Sequence, residues 1–305
     1  MEPFFVVNPA SGAGRTARLW RSLGRGLPFA LTRGPGHATE LTAEALARGA
    51  RLVVAVGGDG TLNEALNGFF ENGRPRRADA ALSVVPCGTG GDLGKTFGLA
   101  RFSAERLVAG IREGRLVRLD SGLARFRGPE GAVERRFLNV ASAGFSAVIV
   151  QKVGRASKAL GGKLAFLSAV FRSVAGLRNE VMSVDVDGAR LYEGPVLLAA
   201  VANGRFFGGG MMIAPEAEPA DALFDVVVVG GLSRPEVIRH VGKLYTGRHL
   251  VLPQVRCRKG RTVIMRCAAR APIELDGEQP GTLDATFEMD PGSVPFVLPR
   301  EESVR

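Results

Sequence analysis

Residues 52–64 limit what this chain can fold into more than any other stretch. Five apolar residues, Leu52 to Val56, stop at Gly57-Gly58-Asp59-Gly60-Thr61. Helical spacing then begins, with Leu62, Ala65, Leu66 and Phe69 on one face. The pattern reads strand, tight turn, helix. The apolar run does not alternate, so both faces of its sheet are covered, as in parallel α/β sheets. The glycines allow positive φ and a close backbone approach to a ligand. Thr61 falls at a helix N-cap in this reading, and a helix N-terminus attracts phosphate through its N–H groups and dipole. Asp59 stands out, because a carboxylate beside phosphates needs a cation between them. It is a candidate magnesium or water ligand. The same letters also fit an ordinary glycine turn with an aspartate cap, and the rest of the chain has to decide.

Two further strand ends carry the same chemistry. Phe4 to Val7 runs into Asn8-Pro9-Ala10-Ser11-Gly12-Ala13-Gly14 and then a basic helix, Arg15 to Leu23. Ala81 to Val85 runs into Pro86-Cys87-Gly88-Thr89-Gly90-Gly91-Asp92. The first of these is not a Walker loop. A strand at Phe29 to Leu31 and helices at His37 to Ala47 and Ser103 to Ile111 complete an alternation that implies a parallel sheet with helices on both faces. Ligands of such sheets bind at the carboxyl ends of strands, where these loops converge.

After Gly114 strands dominate: Leu116 to Gly122, Leu123 to Phe126, Val133 to Asn139, Met182 to Val186, Val196 to Ala202 and Phe224 to Val229. Asp187-Gly188 reads as a hairpin turn. Asn139 to Gly144 leads into a helical stretch reaching about Arg178, and Glu71 to Ala78 reads as a loop. The last helix is expected over Arg234 to Tyr245, with strands over Arg256 to Arg270 and Ile273 to Leu275. The division expected is an α/β domain over residues 1–118, joined by a C-terminal strand at 292–300, and a β-rich domain over 119–291.

Three cysteines without a CxxC pair argue against a disulfide framework and for a reducing compartment. The first strand begins so close to Met1 that no signal peptide is expected. Apolar runs such as Val196 to Ala202 are far shorter than the roughly 20 residues that span a bilayer. A net charge of +10 favours anionic partners, among them lipid surfaces and nucleotides. One Trp and two Tyr supply few stacking platforms, so nucleic acid is not expected.

Taken together, the loops resemble the diacylglycerol kinase catalytic family, which includes bacterial diacylglycerol kinases, related lipid kinases and sphingosine kinases. Asn8 to Gly12, Gly57 to Thr61 and Pro86 to Asp92 are similar to its three nucleotide loops. Ala202-Asn203-Gly204 through Met211, then Ala214-Pro215, resembles a stretch of its β-domain, and Asp276-Gly277-Glu278 its acidic motif. Gly-Gly-Asp-Gly-Thr alone also occurs in NAD kinases and phosphofructokinases; the full set in this order is far more specific.

The resemblance implies a Rossmann-like α/β nucleotide domain followed by a β-sandwich-like domain, with the active site in the cleft between them. It implies transfer of the ATP γ-phosphoryl group to a lipid hydroxyl with Mg2+. Nucleotide contacts are expected from Asn8, Pro9, Ala10, Ser11, Gly12, Thr32, Gly57, Gly58, Asp59, Gly60, Thr61, Leu62, Asn63, Gly88, Thr89 and Asp92. Asp59 would hold catalytic magnesium. Glu278 would accept the lipid proton with Asp276 close by, two carboxylates whose mutual repulsion raises one pKa. A second, structural metal would take Asp221 with main-chain ligands at Glu218 and Leu223. The chain departs from the family at Gly91, usually Asn, and at Ala222, usually Gly, which places that metal in doubt.

Lys152, Arg155, Lys158, Lys163 and the Arg256 to Arg270 group would suit an anionic lipid surface or simply a solvated face. A cytoplasmic enzyme peripheral to the inner face of the membrane is expected, and an edge strand could pair two copies into a homodimer. The alternatives are a NAD kinase-like enzyme and a nucleotide- or lipid-binding regulator without turnover.

Overall fold

The structure, a computed structural model, describes residues 2–87, 91–145 and 174–300. The chain divides into two compact units, Met1–Leu119 with Gly292–Arg305, and Asp120–Pro291.

In the first unit β1 (Pro3–Val7), β2 (Phe29–Leu31), β3 (Leu52–Gly57) and β6 (Ala81–Pro86) form a parallel sheet in the order β2-β1-β3-β6. Every residue of β3 is buried, which is why that strand reads as an unbroken apolar run. Helices α1 (Arg15–Leu23), α2 (His37–Ala47), α3 (Asp59–Phe69), α4 (Asp92–Thr96) and α5 (Ala104–Arg112) connect or flank these strands. Helix α3 buries Leu62, Ala65, Leu66 and Phe69, the residues whose spacing defined it. The chain's C-terminal segment adds to the sheet: Phe296 pairs parallel with Leu82, and the Ser83 hydroxyl donates to the carbonyl of Val297 at 2.7 Å.

Two expectations in this unit need correction. The N-cap of α3 is Gly58, so Thr61 lies inside the first turn. Residues 71–78 are not a plain loop, because β4 (Phe70–Glu71) and β5 (Arg74–Pro75) form a small hairpin.

In the second unit the strands are β8 (Gly131–Phe137), β9 (Val140–Gly144), β10 (Glu180–Val186), β11 (Ala189–Ala202), β12 (Phe206–Phe207), β13 (Met211–Met212), β14 (Phe224–Gly230), β15 (Val255–Gly260), β16 (Thr262–Arg266) and β17 (Pro272–Leu275). Strand β7 (Arg115–Gly128) enters this unit and β18 (Glu278–Leu298) leaves it. Strand β11 changes partner midway: residues 189–196 pair with β10 and 198–202 with β9. Strand β9 pairs with β17, β17 with β18, β18 with β16 and β16 with β10. The pairings therefore close on themselves, and Met182, Val184, Val263, Met265, Phe287 and Ile273 fill the interior. Strand β14 faces two cores, with Val226 and Val228 toward this one and Val227 and Val229 toward a second. That explains its run of four valines.

Three expectations here also change. Residues 115–128 form one strand rather than two, because residues 122–128 hold an unbroken ladder with β8. Residues 140–144 are a strand, and those from 175 to 179 are turn and loop, so no helix reaches Arg178. The intervening residues 146–173, with Lys152, Arg155, Lys158 and Lys163, lie outside the described residues. The helix α6 (Arg234–His240) gives way to 3-10 turns at Val241, short of Tyr245.

Candidate active site

Three strand ends of the first unit are stitched together by the residues that the sequence singles out. The Asn8 side-chain amide donates to the Thr61 hydroxyl at 3.1 Å, and its oxygen accepts the Ala10 N–H at 3.1 Å. The Asn8 N–H donates to Val56 and the Cys87 N–H to Gly57. The Asp59 carboxylate accepts the Asp92 N–H at 2.9 and 3.1 Å, joining the loops after β3 and β6. Asp92 is buried and its carboxylate takes the Lys95 ammonium at 2.5 Å. Thr32 belongs to the same rim, with its N–H on Val7.

Backbone conformation explains two of the small residues. Gly12 has φ +60°, and a Cβ there would stand 2.5 Å from the Cys87 carbonyl oxygen, so only glycine lets the first and third loops touch. Gly91 caps α4 at φ +60°. Asparagine also adopts this left-handed region, so the departure from the family pattern keeps the turn. Burial pushes the Cys87 thiol up to about 11, which keeps it protonated in this loop.

The residues expected to contact a nucleotide are not equally available to one. The first N–H groups of a helix lack intrahelical carbonyl partners, and here that turn is Asp59-Gly60-Thr61. The Leu62 N–H already donates to Gly58, and the side chains of Leu62 and Asn63 are buried. Those two shape the helix rather than present groups to a ligand. Gly88 and Thr89 lie outside the described residues. Beside the loops, Pro9, Thr32, Arg33, His37 and Glu40 line an open cavity of ≈ 740 Å³.

In the second unit Asp276 and Gly277 form the hairpin turn between β17 and β18, at φ 48° and 87°. The buried Asp276 carboxylate accepts the N–H groups of Leu138 (2.9 Å), Asn139 (2.9 Å) and Val140 (3.1 Å). Glu274, also buried, accepts the Gly277 N–H and the Ser142 hydroxyl, each at 2.5 Å. Glu278 follows, partly exposed, with its carboxylate on the Arg135 guanidinium at 2.5 Å. The expectation of two carboxylates set against each other therefore needs revision, because each has its own donors. Asn203 supports the same turn from behind: its side chain donates to Asp120 and Leu138, and its N–H to Asn139.

Arg135, Glu274, Ser142 and Asn139 were not recognised from the sequence. Their partners lie 132 to 143 residues away along the chain for Ser142, Asn139 and Arg135, and no local signal marks such pairs. Also in this unit, Leu198, Phe207, Met211, Val229, Leu244 and Leu252 surround a cavity whose wall is almost entirely carbon.

The residues expected to hold a structural metal do not fit one. Asp221 carries the Lys259 ammonium at 2.9 Å and accepts the Leu223 N–H at 3.0 Å. The Glu218 carbonyl takes the N–H groups of Ala220 and Asp221. Among the described residues no group of three or more Asp, Glu, His or Cys side chains is placed to hold a metal ion.

Comparison with known proteins places this geometry. Residues 2–124 match the diacylglycerol kinase catalytic domain, and residues 139–298 match the YegS C-terminal NAD kinase beta sandwich-like domain. The chain belongs to the diacylglycerol kinase and YegS-like lipid kinase family. A diacylglycerol kinase of Mycobacterium tuberculosis is 27% identical over 302 residues, covering 97% of this chain and 94% of that protein. A Xanthomonas oryzae pv. oryzae protein named "Probable lipid kinase YegS-like" is 31% identical over 283 residues, covering 88% and 82%. A solved diacylglycerol kinase structure from Bacillus anthracis superposes with a TM-score of 0.70 at 20% identity, covering 99% and 98% of the two chains. In this lipid kinase family member the Asn8, Asp59 and Asp92 loops lie within the catalytic-domain match. The Asp276 turn lies within the β-domain match.

Proposed function

We propose that this chain is an ATP-dependent lipid kinase that phosphorylates a hydroxyl of diacylglycerol or a similar lipid. The observation that carries the reading is the junction of three loops through Asn8–Thr61 and Asp59–Asp92, with the first turn of α3 beside them. Phosphoryl transfer asks a protein for positioning and charge neutralisation more than for covalent chemistry. The Asn8–Gly12 loop and the N–H groups of Asp59-Gly60-Thr61 supply that for the phosphates. Asp59 fits magnesium, which is commonly held by one or two carboxylates together with substrate phosphates. When bound, the ion neutralises charge on the transferring group.

Glu278 is the proton acceptor in this reading. Its carboxylate takes the proton from the lipid hydroxyl as that oxygen bonds to the γ-phosphorus and the bond to ADP breaks. Arg135 orients the carboxylate. Asp276 is a positioning residue that locks the turn carrying Glu278 through three backbone N–H groups. The carbon-walled cavity in the same unit suits part of an acyl chain.

A peripheral station on an anionic bilayer is also proposed. No helix among the described residues is long and apolar enough to cross a membrane. Arg256 and Arg258 on β15 are exposed, and each basic residue near such a surface contributes about 1 kcal/mol. Arg266 contributes less, since it is paired with Asp185.

The test is transfer from radiolabelled ATP, with and without Mg2+, to a panel of detergent-dispersed lipids with NAD included. Label in a lipid that depends on Mg2+ is expected, strongest with diacylglycerol. Label on NAD, or none on any acceptor while ATP still binds, would overturn the reading.

A further inference from the structure

We propose that the Lys259 ammonium takes the place of a structural divalent cation in this chain, so that the loop Glu218–Leu223 is closed without metal. The inference goes beyond the kinase reading and needs no turnover.

Strand pairing delivers the lysine. Asp225 and Lys259 face each other in the β14–β15 ladder. The Lys259 Nζ lies 2.9 Å from Asp221 and 3.3 Å from Asp225. One tethered cation thus serves two carboxylates that would otherwise repel each other or recruit an ion. Its occupancy is fixed by the backbone and does not depend on a metal concentration.

Two oxygens that could ligate a metal here, one main-chain and one side-chain, already accept hydrogen bonds. The Glu218 carbonyl accepts the N–H groups of Ala220 at 2.7 Å and Asp221 at 3.3 Å, and the second Asp221 oxygen accepts the Leu223 N–H. Asp120 clamps the loop from the opposite side. Its N–H donates to Pro219 at 2.8 Å, and its buried carboxylate accepts the Ala222 N–H at 2.7 Å. Ala222 is thereby held at φ 62°, a conformation that normally favours glycine. The loop keeps its left-handed turn although the residue best suited to it is gone.

Sequence alone puts the metal in doubt through Ala222 but does not reveal what replaces it. Asp221 occupies the family's metal position, while Lys259 sits 38 residues away in a basic run. Only the cross-strand register shows that one answers the other.

The test uses the full-length, nucleotide-free protein. Thermal melts in EDTA and in millimolar Mg2+ or Ca2+ should give wild-type Tm values within about 1 °C of each other, because no ion binds the folded state at this loop. Lys259→Met in EDTA should melt about 2–4 °C lower and recover at least half of that in Ca2+, since two facing carboxylates are then left for the ion. Equilibrium dialysis with Ca2+ gives a second readout on the wild type that does not depend on the variant folding. Binding well below one ion per chain is expected. Stoichiometric binding that Asp221→Asn abolishes would overturn the proposal, as would a Lys259→Met protein that melts with the wild type in both buffers.

Discussion

The two units reach their functional geometry by different means. In the first, the candidate loops are local: strand, glycine loop and helix start are contiguous, and the contacts that join them, Asn8 to Thr61 and Asp59 to Asp92, connect loops at the ends of neighbouring parallel strands. In the second, the acidic turn is three residues long, but its conformation is set by groups from β8, β9 and the segment after β11. Sheet topology therefore does for the first unit what long-range side-chain hydrogen bonds do for the second. A substitution in the first unit's loops should act on ligand binding, and one around the Asp276 turn should act on both stability and turnover.

The largest effect that would sharpen this contrast concerns the groups assigned to chemistry. Asp59→Ala and Glu278→Ala should each lower turnover by about 10²–10⁴-fold, with melting temperatures close to wild type, because both side chains are partly exposed. Circular-dichroism melts beside the lipid phosphorylation assay check this, and a wild-type rate in either variant would remove the role given to that residue.

Asp276→Ala comes next. It leaves three buried N–H groups without their carboxylate, a loss of about 3 kcal/mol or more of stability. Urea denaturation should show it, while Asp276→Asn, which keeps one acceptor oxygen, should lose less. Equal stability of wild type and Asp276→Ala would break the contrast between the units.

Gly12→Ala is expected to cost roughly 1–2 kcal/mol through its left-handed φ. The added Cβ would also push the first loop from the Cys87 carbonyl, so ATP affinity by calorimetry should fall more than the melting temperature does.

A last effect is chemical and touches neither stability nor turnover. With its thiol raised from 9.0 to about 11, Cys87 should be alkylated by iodoacetamide at pH 8 about 100-fold more slowly than an unperturbed thiol, because only the thiolate reacts. Site-resolved mass spectrometry reads this, and an ordinary rate would mean that the loop is open to solvent.

Much of the first unit was legible in the sequence because its signals are local. Helix α1, read from arginines at helical spacing, and helix α2 and strand β2 run over the residues that local sequence signals mark. The error at Thr61 is instructive: threonine is a good cap, but Gly58 adopts the extended backbone that an N-cap needs, so the helix begins three residues earlier. In the second unit the turn at Asp187-Gly188 was legible for the same local reason. The split assigned within residues 115–128 was not, because Gly122 resembles a breaker while it forms the first rung of the ladder to β8, opposite Phe137. The donors around Asp276 and Glu278 were illegible for a further reason. Glu134-Arg135-Arg136 looks like any solvated strand, and only the fold shows that Arg135 meets Glu278 while Arg136 is buried against Ser121 and Asp290.

The central claim is that the first unit holds the nucleotide and Glu278 supplies the base. Measuring ATP affinity and lipid phosphorylation together for Glu278→Gln tests it most directly. The account predicts an ATP dissociation constant within about twofold of wild type and a rate at least about 100-fold lower. A variant that transfers phosphate at the wild-type rate would contradict it.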